Sequence, residues 1–232
     1  AFTDARFGAG TSVAVANGFP LNSPYNADLP YDITQSALFG EASYDFGQIK
    51  LTGAQQQAMM PFLNVFRRIG GAFDVDDEGI RFWHPGGALR AIALETDVHP
   101  GFMTDWQQPL VVALTQTTGL SIVHETVYEN RLGFTDALLD SGAQIQTYRE
   151  CLGGSPCRFG RANFQHSAVI SGPSPLRAAE ITVPDLRGGF SYLIAALAAQ
   201  GRSTVHGIDF IYRGYERFSD KLDALGAAYK LS

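Results

Sequence analysis

Sulfur and charge are both scarce in this chain: two of its 232 residues are cysteine and 17% are charged. Two cysteines cannot make the disulfide framework of a small secreted scaffold or a four-sulfur zinc site. Cys151 and Cys157 bracket Leu-Gly-Gly-Ser-Pro. A small-loop disulfide and half a metal site are both sterically open, but two reduced thiols in a loop is the favoured reading. The five histidines, at 84, 99, 124, 166 and 206, fall at no metal-binding spacing, so no metal is expected and solvated or core-edge roles are favoured. Leu152-Gly153-Gly154-Ser155 lacks the Gly-Lys-Ser/Thr of a phosphate loop. There is no basic run, and the net charge is -6, which argues against a nucleic-acid partner. No apolar run approaches membrane-spanning length, and the first residues lack a signal peptide's charged start and apolar middle. The expectation is a cytoplasmic chain with no membrane partner. Ala1 stands where an initiator methionine is expected, which leaves a fragment, a processed product and a tag-trimmed chain all open.

What is present is enough apolar material, 45% of residues, to bury a sizeable core. A strand is predicted over Ser12–Ala16, and residues 20–50 read as a long loop or insertion. Thr52 is placed as the cap of a helix whose Met59, Phe62, Leu63, Phe66 and Ile69 recur at helical spacing, ended by Gly70-Gly71. Strands Ala72–Val75 and Gly79–Trp83 follow. Next come strand Arg90–Thr96 and a helix capped by Thr104 or Asp105, irregular at Pro109 and closed near Gly119. Strand Ser121–Glu125, a helix through Phe134 and Leu138, and strand Gln144–Tyr148 complete that section. Residues 164–172 and 180–183 suggest a strand pair. Asp185 is expected to cap a helix over Leu186, Phe190, Leu193 and Ile194. Strand Ser203–Ile208 precedes a helix striped by Tyr215, Phe218, Leu222 and Leu225, and Ala227–Leu231 reads as a last strand.

The sections repeat. Asp105 matches Asp185 at 80 residues, Gly119 matches Gly201 and Arg131 matches Arg213 at 82, and Gly142 matches Gly226 at 84. Three copies of a strand–helix–strand–helix–strand unit are expected, about 1–83, 84–162 and 163–232, with helices packed inward against one another. Two stretches, Pro184 to Phe190 and Tyr212 to Arg217, each set a helix start beside an arginine. Free backbone N–H groups and a rigid guanidinium fork suit that arrangement to an anion.

Three segments together resemble the enolpyruvyl transferase family. They are His99-Pro100-Gly101-Phe102-Met103-Thr104-Asp105, Glu125-Thr126-Val127-Tyr128-Glu129-Asn130-Arg131, and Asp185-Leu186-Arg187 with Arg213-Gly214-Tyr215-Glu216-Arg217. The resemblance runs through most of 52–231 and implies an α/β inside-out barrel of three βαβαββ units, one of the family's two similar domains. It implies transfer of the enolpyruvyl group of phosphoenolpyruvate to the 3-hydroxyl of UDP-N-acetylglucosamine, the first committed step of peptidoglycan synthesis. It implies no cofactor. Asp105 would accept the hydroxyl proton, Thr104 and the Val127 backbone would contact the UDP-sugar, Arg187 and Arg213 would hold phosphoenolpyruvate, and Asp185 would orient that group. Met103, Tyr212 and Gly188-Gly189-Phe190 depart from the family pattern. The family's catalytic loop cysteine and N-terminal Lys-Asn pair have no counterpart here, so the missing second domain is the expected partner and this part alone is expected to be inactive. A shikimate 3-phosphate transferase and a non-catalytic nucleotide-sugar-binding domain are the alternatives.

Overall fold

The computed structural model describes residues 48–154, 159, 162–215 and 217–231. The expected strand Ser12–Ala16 and residues 20–47 of the expected loop lie outside them. Residues 48–50 belong not to a loop but to strand β1 (Gln48–Thr52), where Ile49 and Leu51 turn inward at the two-residue strand period. Lys50 projects between them and pairs with Asp76 and Glu78. Thr52 therefore ends a strand rather than capping a helix. Helix α1 (Gln56–Ile69) starts after Gln55 with no side-chain cap, and its predicted apolar stripe is buried. Gly70 closes it at φ 116, and the Gly70 and Gly71 N–H groups return to the Arg67 and Phe66 carbonyls. Strands β2 (Ala72–Asp76) and β3 (Gly79–Trp83) complete an antiparallel sheet in the order β1-β3-β2.

A second sheet holds β4 (Ala93–Glu95), β5 (Gly119–His124), β6 (Gln144–Tyr148) and β7 (Ser167–Gly172) in the order β4-β5-β7-β6. The strand expected over Arg90–Thr96 contracts to β4, with Arg90 making an isolated bridge to Thr118. Helix α2 (Thr104–Leu114) runs without a break through Pro109, and Gly119 opens β5 instead of closing that helix. A 3-10 turn (Arg131–Phe134) leads into α3 (Thr135–Asp140). β7 pairs with β5 and β6, not with the strand after it. The expected 164–172/180–183 pair is thus replaced: β8 (Glu180–Thr182) lies parallel to β9 (Thr204–His206). Apolar alternation shows that a strand exists, but not which neighbour it pairs with.

Helix α4 (Leu186–Ala198) is capped by Asp185, as expected. Helix α5 (Asp209–Gly214) ends before Tyr215, and the helix expected through Tyr215 and Leu225 contracts to α6 (Phe218–Ala224). Tyr215 is extended between them and stacks on Phe190 at 4.6 Å, while Arg217 stands at φ 50. Residues 227–231 form no strand: Ala227 is buried, and the Tyr229 hydroxyl donates to the Ser219 carbonyl, with no ladder partner.

The helices are inside. Every residue of α2 is buried except Asp105, and nine residues of α4 are buried. A helix that is apolar nearly all round needs neighbours on all sides. α2 finds them in α4, β5 and β7, and its Trp106 ring meets Phe62 of α1 at 5.7 Å. The sheets form the outer wall and keep one face exposed, as the exposed outer residues of β1 and β2 show.

Candidate functional site

Thr104 and Asp105 are the first two residues of α2, after an extended Met103. Neither caps the helix; both side chains are committed to partners far along the chain. The Thr104 hydroxyl donates to Glu125 Oε2 at 2.9 Å, and Asp105 Oδ1 accepts from Arg131 Nη2 at 3.1 Å. Pro109 has no N–H to give the Asp105 carbonyl one turn back, which is a second local irregularity at this helix start.

Glu125 follows the last residue of β5 and is 1% exposed. Its Oε1 accepts from the Val127 and Tyr128 N–H groups at 2.8 and 2.9 Å, so one carboxylate fastens the following loop to the start of α2. Asn130, at φ 52, turns the chain into the 3-10 segment, and Gln108 Nε2 of α2 donates to the Arg131 carbonyl at 3.2 Å. The Arg131 side chain is 5% exposed, whereas that of Asp105 is 57% exposed. A buried guanidinium thus steadies a carboxylate that faces solvent.

Two guanidiniums stand over the Tyr128 ring, Arg131 Cζ at 5.3 Å from its centroid and Arg187 Cζ at 5.6 Å, which is cation–π range. Through Tyr128 the structure brings the exposed Arg187 of α4 to the Asp105–Arg131 pair. Asp185 is engaged as a cap, its Oδ1 accepting from the Gly188 N–H at 2.8 Å. Gly189 has a packing reason: an added Cβ would come within 2.4 Å of Val183 Cγ1. Gly214 is pressed against Leu186, where a Cβ would meet Leu186 Cδ1 at 2.2 Å, so the end of α5 is seated on the start of α4. Arg213 lies in the last turn of α5, which corrects its expected place at a helix start. The start of α5 itself therefore offers no anion-binding N–H groups at Arg213; the helix start beside it is that of α4.

The donor groups of two expected contacts are already used. The Thr104 hydroxyl proton and the Val127 N–H both go to Glu125, which leaves a ligand the Thr104 lone pairs and the Val127 carbonyl. Glu125, Arg131 and Tyr128 are site residues to which the sequence assigns no role. Their signal in the sequence was a carboxylate at the end of an apolar strand, followed within one loop by an aromatic and an arginine.

A second cluster brings together two histidines that no sequence spacing links. His124 at the end of β5 and His166 just before β7 lie with ring centroids 5.3 Å apart, both 1% exposed. Cys151 Sγ is 3.4 Å from His166 Nε2. Cys151 is disulfide-bonded, not a reduced thiol. The chain's other cysteine, Cys157, lies outside the described residues. Burial first, and the neighbouring His166 second, hold the His124 imidazole below its ordinary range.

Residues 12–222 match the family model described as EPSP synthase (3-phosphoshikimate 1-carboxyvinyltransferase). A Protochlamydia amoebophila protein named UDP-N-acetylglucosamine 1-carboxyvinyltransferase is 53% identical over 86% of this chain and 43% of its own length. A protein of the same name from Chlamydia trachomatis serovar D is 46% identical over 84% of this chain and 45% of its own length. The crystal structure of the enolpyruvyl transferase NikO from Streptomyces tendae superposes with a TM-score of 0.68 at 23% identity, covering 85% of this chain and 42% of that one. The chain spans about half the length of the curated relatives it matches.

Proposed function

The chain belongs to the EPSP synthase family and has the inside-out α/β barrel fold of the enolpyruvyl transferases, and from that premise we propose that it supplies one domain of a UDP-N-acetylglucosamine 1-carboxyvinyltransferase. The observation that carries the substrate choice is the 53% identity to a relative of that name. Among the described residues, three sheets each carry at least one helix on the inner side, which supports reading the chain as a single domain of three units. The second domain would close over the exposed edge made by Asp105, Tyr128 and Arg187.

In this reading Asp105 is the base. It has to take the proton of the sugar 3-hydroxyl as that oxygen attacks C2 of phosphoenolpyruvate. An exposed carboxylate fixed by Arg131 has the reach and the order for this. Arg187 and Arg213 would neutralise the carboxylate and phosphate of phosphoenolpyruvate, and the charge that collects on the departing phosphate. Asp185 serves this site by fixing the first turn of α4, which carries Arg187. Thr104 and Val127 would meet the sugar through their remaining acceptors.

The test is phosphate release by the full-length protein containing this chain, with phosphoenolpyruvate and either UDP-N-acetylglucosamine or shikimate 3-phosphate. Release with the UDP-sugar alone is expected. Release with shikimate 3-phosphate alone would transfer the assignment to the activity named in the family description. UDP-sugar binding without turnover would make this a binding domain.

A further inference from the structure

We propose that reduction of the Cys151 disulfide opens a divalent-cation site, best suited to Zn²⁺, whose ligands are Cys151 Sγ, His124 Nε2 and His166 Nε2. A ligand atom from each of these residues already lies within 4.8 Å of the other two. The hydrogen bonds around the rings decide which nitrogens are available. His166 Nδ1 sits 2.9 Å from the Phe164 carbonyl, which can only accept, so the proton is on Nδ1 and Nε2 carries the lone pair. The Ser167 hydroxyl gives its one proton to the Glu150 carbonyl at 2.8 Å. Facing His124 Nδ1 at 2.8 Å, it must therefore accept, so His124 also carries its proton on Nδ1.

Both histidines thus have an Nε2 lone pair and an Nδ1–H held by an oxygen. That outer shell is the one that fixes imidazoles as metal ligands. Among the described residues the buried His124 Nε2 has no hydrogen-bond partner, an expensive state for a polar atom inside a protein. The 3.4 Å between Cys151 Sγ and His166 Nε2 is close to the separation of about 3.6 Å that sulfur and nitrogen ligands have around a tetrahedral Zn²⁺. Gly153 lets the cysteine loop approach: a Cβ there would come within 2.4 Å of His124 Cδ2 and 2.9 Å of Glu95 Oε1. A nearby carboxylate adds negative charge beside two neutral nitrogens and a thiolate, a donor set suited to a borderline-soft divalent ion.

The chemistry balances. A dithiol reductant passes two electrons and two protons to the disulfide, leaving two protein thiols and its own cyclic disulfide. On binding, the cation replaces the proton of the Cys151 thiol, and that proton goes to solvent.

The experiment is anaerobic titration of the full chain with Co²⁺ and then Zn²⁺, before and after reduction by a dithiol that is removed first. The reduced protein is expected to bind one Co²⁺ with a thiolate-to-cobalt charge-transfer band, and Zn²⁺ should displace it; the oxidised protein should show no band. Cys151→Ser should lose the band. His124→Gln should weaken binding at least about tenfold, and Ser167→Ala, which keeps all three ligands, by about tenfold or more. Circular dichroism establishes that each variant is folded. No band in the reduced wild type overturns the proposal, and so does a band of unchanged affinity in His124→Gln and Ser167→Ala.

Discussion

Replacing Glu125 separates its tethering role from mere occupation of space. Its carboxylate accepts three hydrogen bonds, from the Thr104 hydroxyl and the Val127 and Tyr128 N–H groups, at 2.8 to 2.9 Å. Bonds to a charged acceptor contribute about 1.5–3 kcal/mol each, and an abandoned buried donor costs about 1–3 kcal/mol. The two N–H groups are only part-buried and can recruit water, so Glu125→Ala belongs near the lower end, about 3–5 kcal/mol. Glu125→Gln is a milder change. Its amide oxygen can take the Oε1 position and keep both N–H donors, while its NH₂ can donate to a Thr104 hydroxyl that turns to accept. Losing only the charge should cost about 1–2 kcal/mol. Adding Thr104→Val to Glu125→Ala should give a coupling of about 1 kcal/mol, since both remove the same bond. Urea unfolding followed by tryptophan fluorescence measures all of these, Trp106 being buried at 1% exposure beside this site. If Glu125→Ala costs less than about 1 kcal/mol, or shows no coupling to Thr104→Val, the carboxylate is not the tether.

Asp105→Asn in the full-length protein should lower kcat about 10²-fold or more while the protein stays folded, because the Asn Oδ1 can still accept from the buried Arg131; steady-state phosphate release measures this. Arg213→Ala should raise the KM for phosphoenolpyruvate while the melting temperature stays the same, since the side chain is exposed; unchanged kinetics would remove Arg213 from the site. Gly71→Ala places a Cβ 2.3 Å from the Phe66 ring, so Phe66 must move inside a packed aromatic cluster, at a cost of about 1–3 kcal/mol in a denaturant midpoint assay. Phe62→Ala, which empties the meeting point of Phe66, Phe82 and Trp106, should cost about 3–5 kcal/mol by the same assay.

The parts of the fold that depend on near neighbours could be read from the sequence. The stripe of α1, the glycine stop at Gly70 and the Asp185 cap each involve residues within about a turn of one another, so composition and spacing are enough. Thr104 and Asp105 carried a correct local signal for a helix start, but stronger partners 21 and 26 residues away claimed their side chains. The same limit hid the His124–His166–Cys151 cluster. The antiparallel pairing of β5 with β7 sets His124 opposite Ser167 and so beside His166, and no sequence spacing encodes that register. Ala227–Leu231 shows the reverse error, in which apolar residues satisfied by packing imitate a strand.

The unequal burial of Arg131 and Asp105 also has a kinetic meaning. Arg131 is immobilised when the interior forms, and Asp105, though largely open to water, is held by it. The rotational freedom of that carboxylate is therefore surrendered once, during folding, rather than at every encounter with a ligand. A ligand arriving at this edge meets an acceptor that is already aimed, so less of its binding energy goes into ordering that side chain.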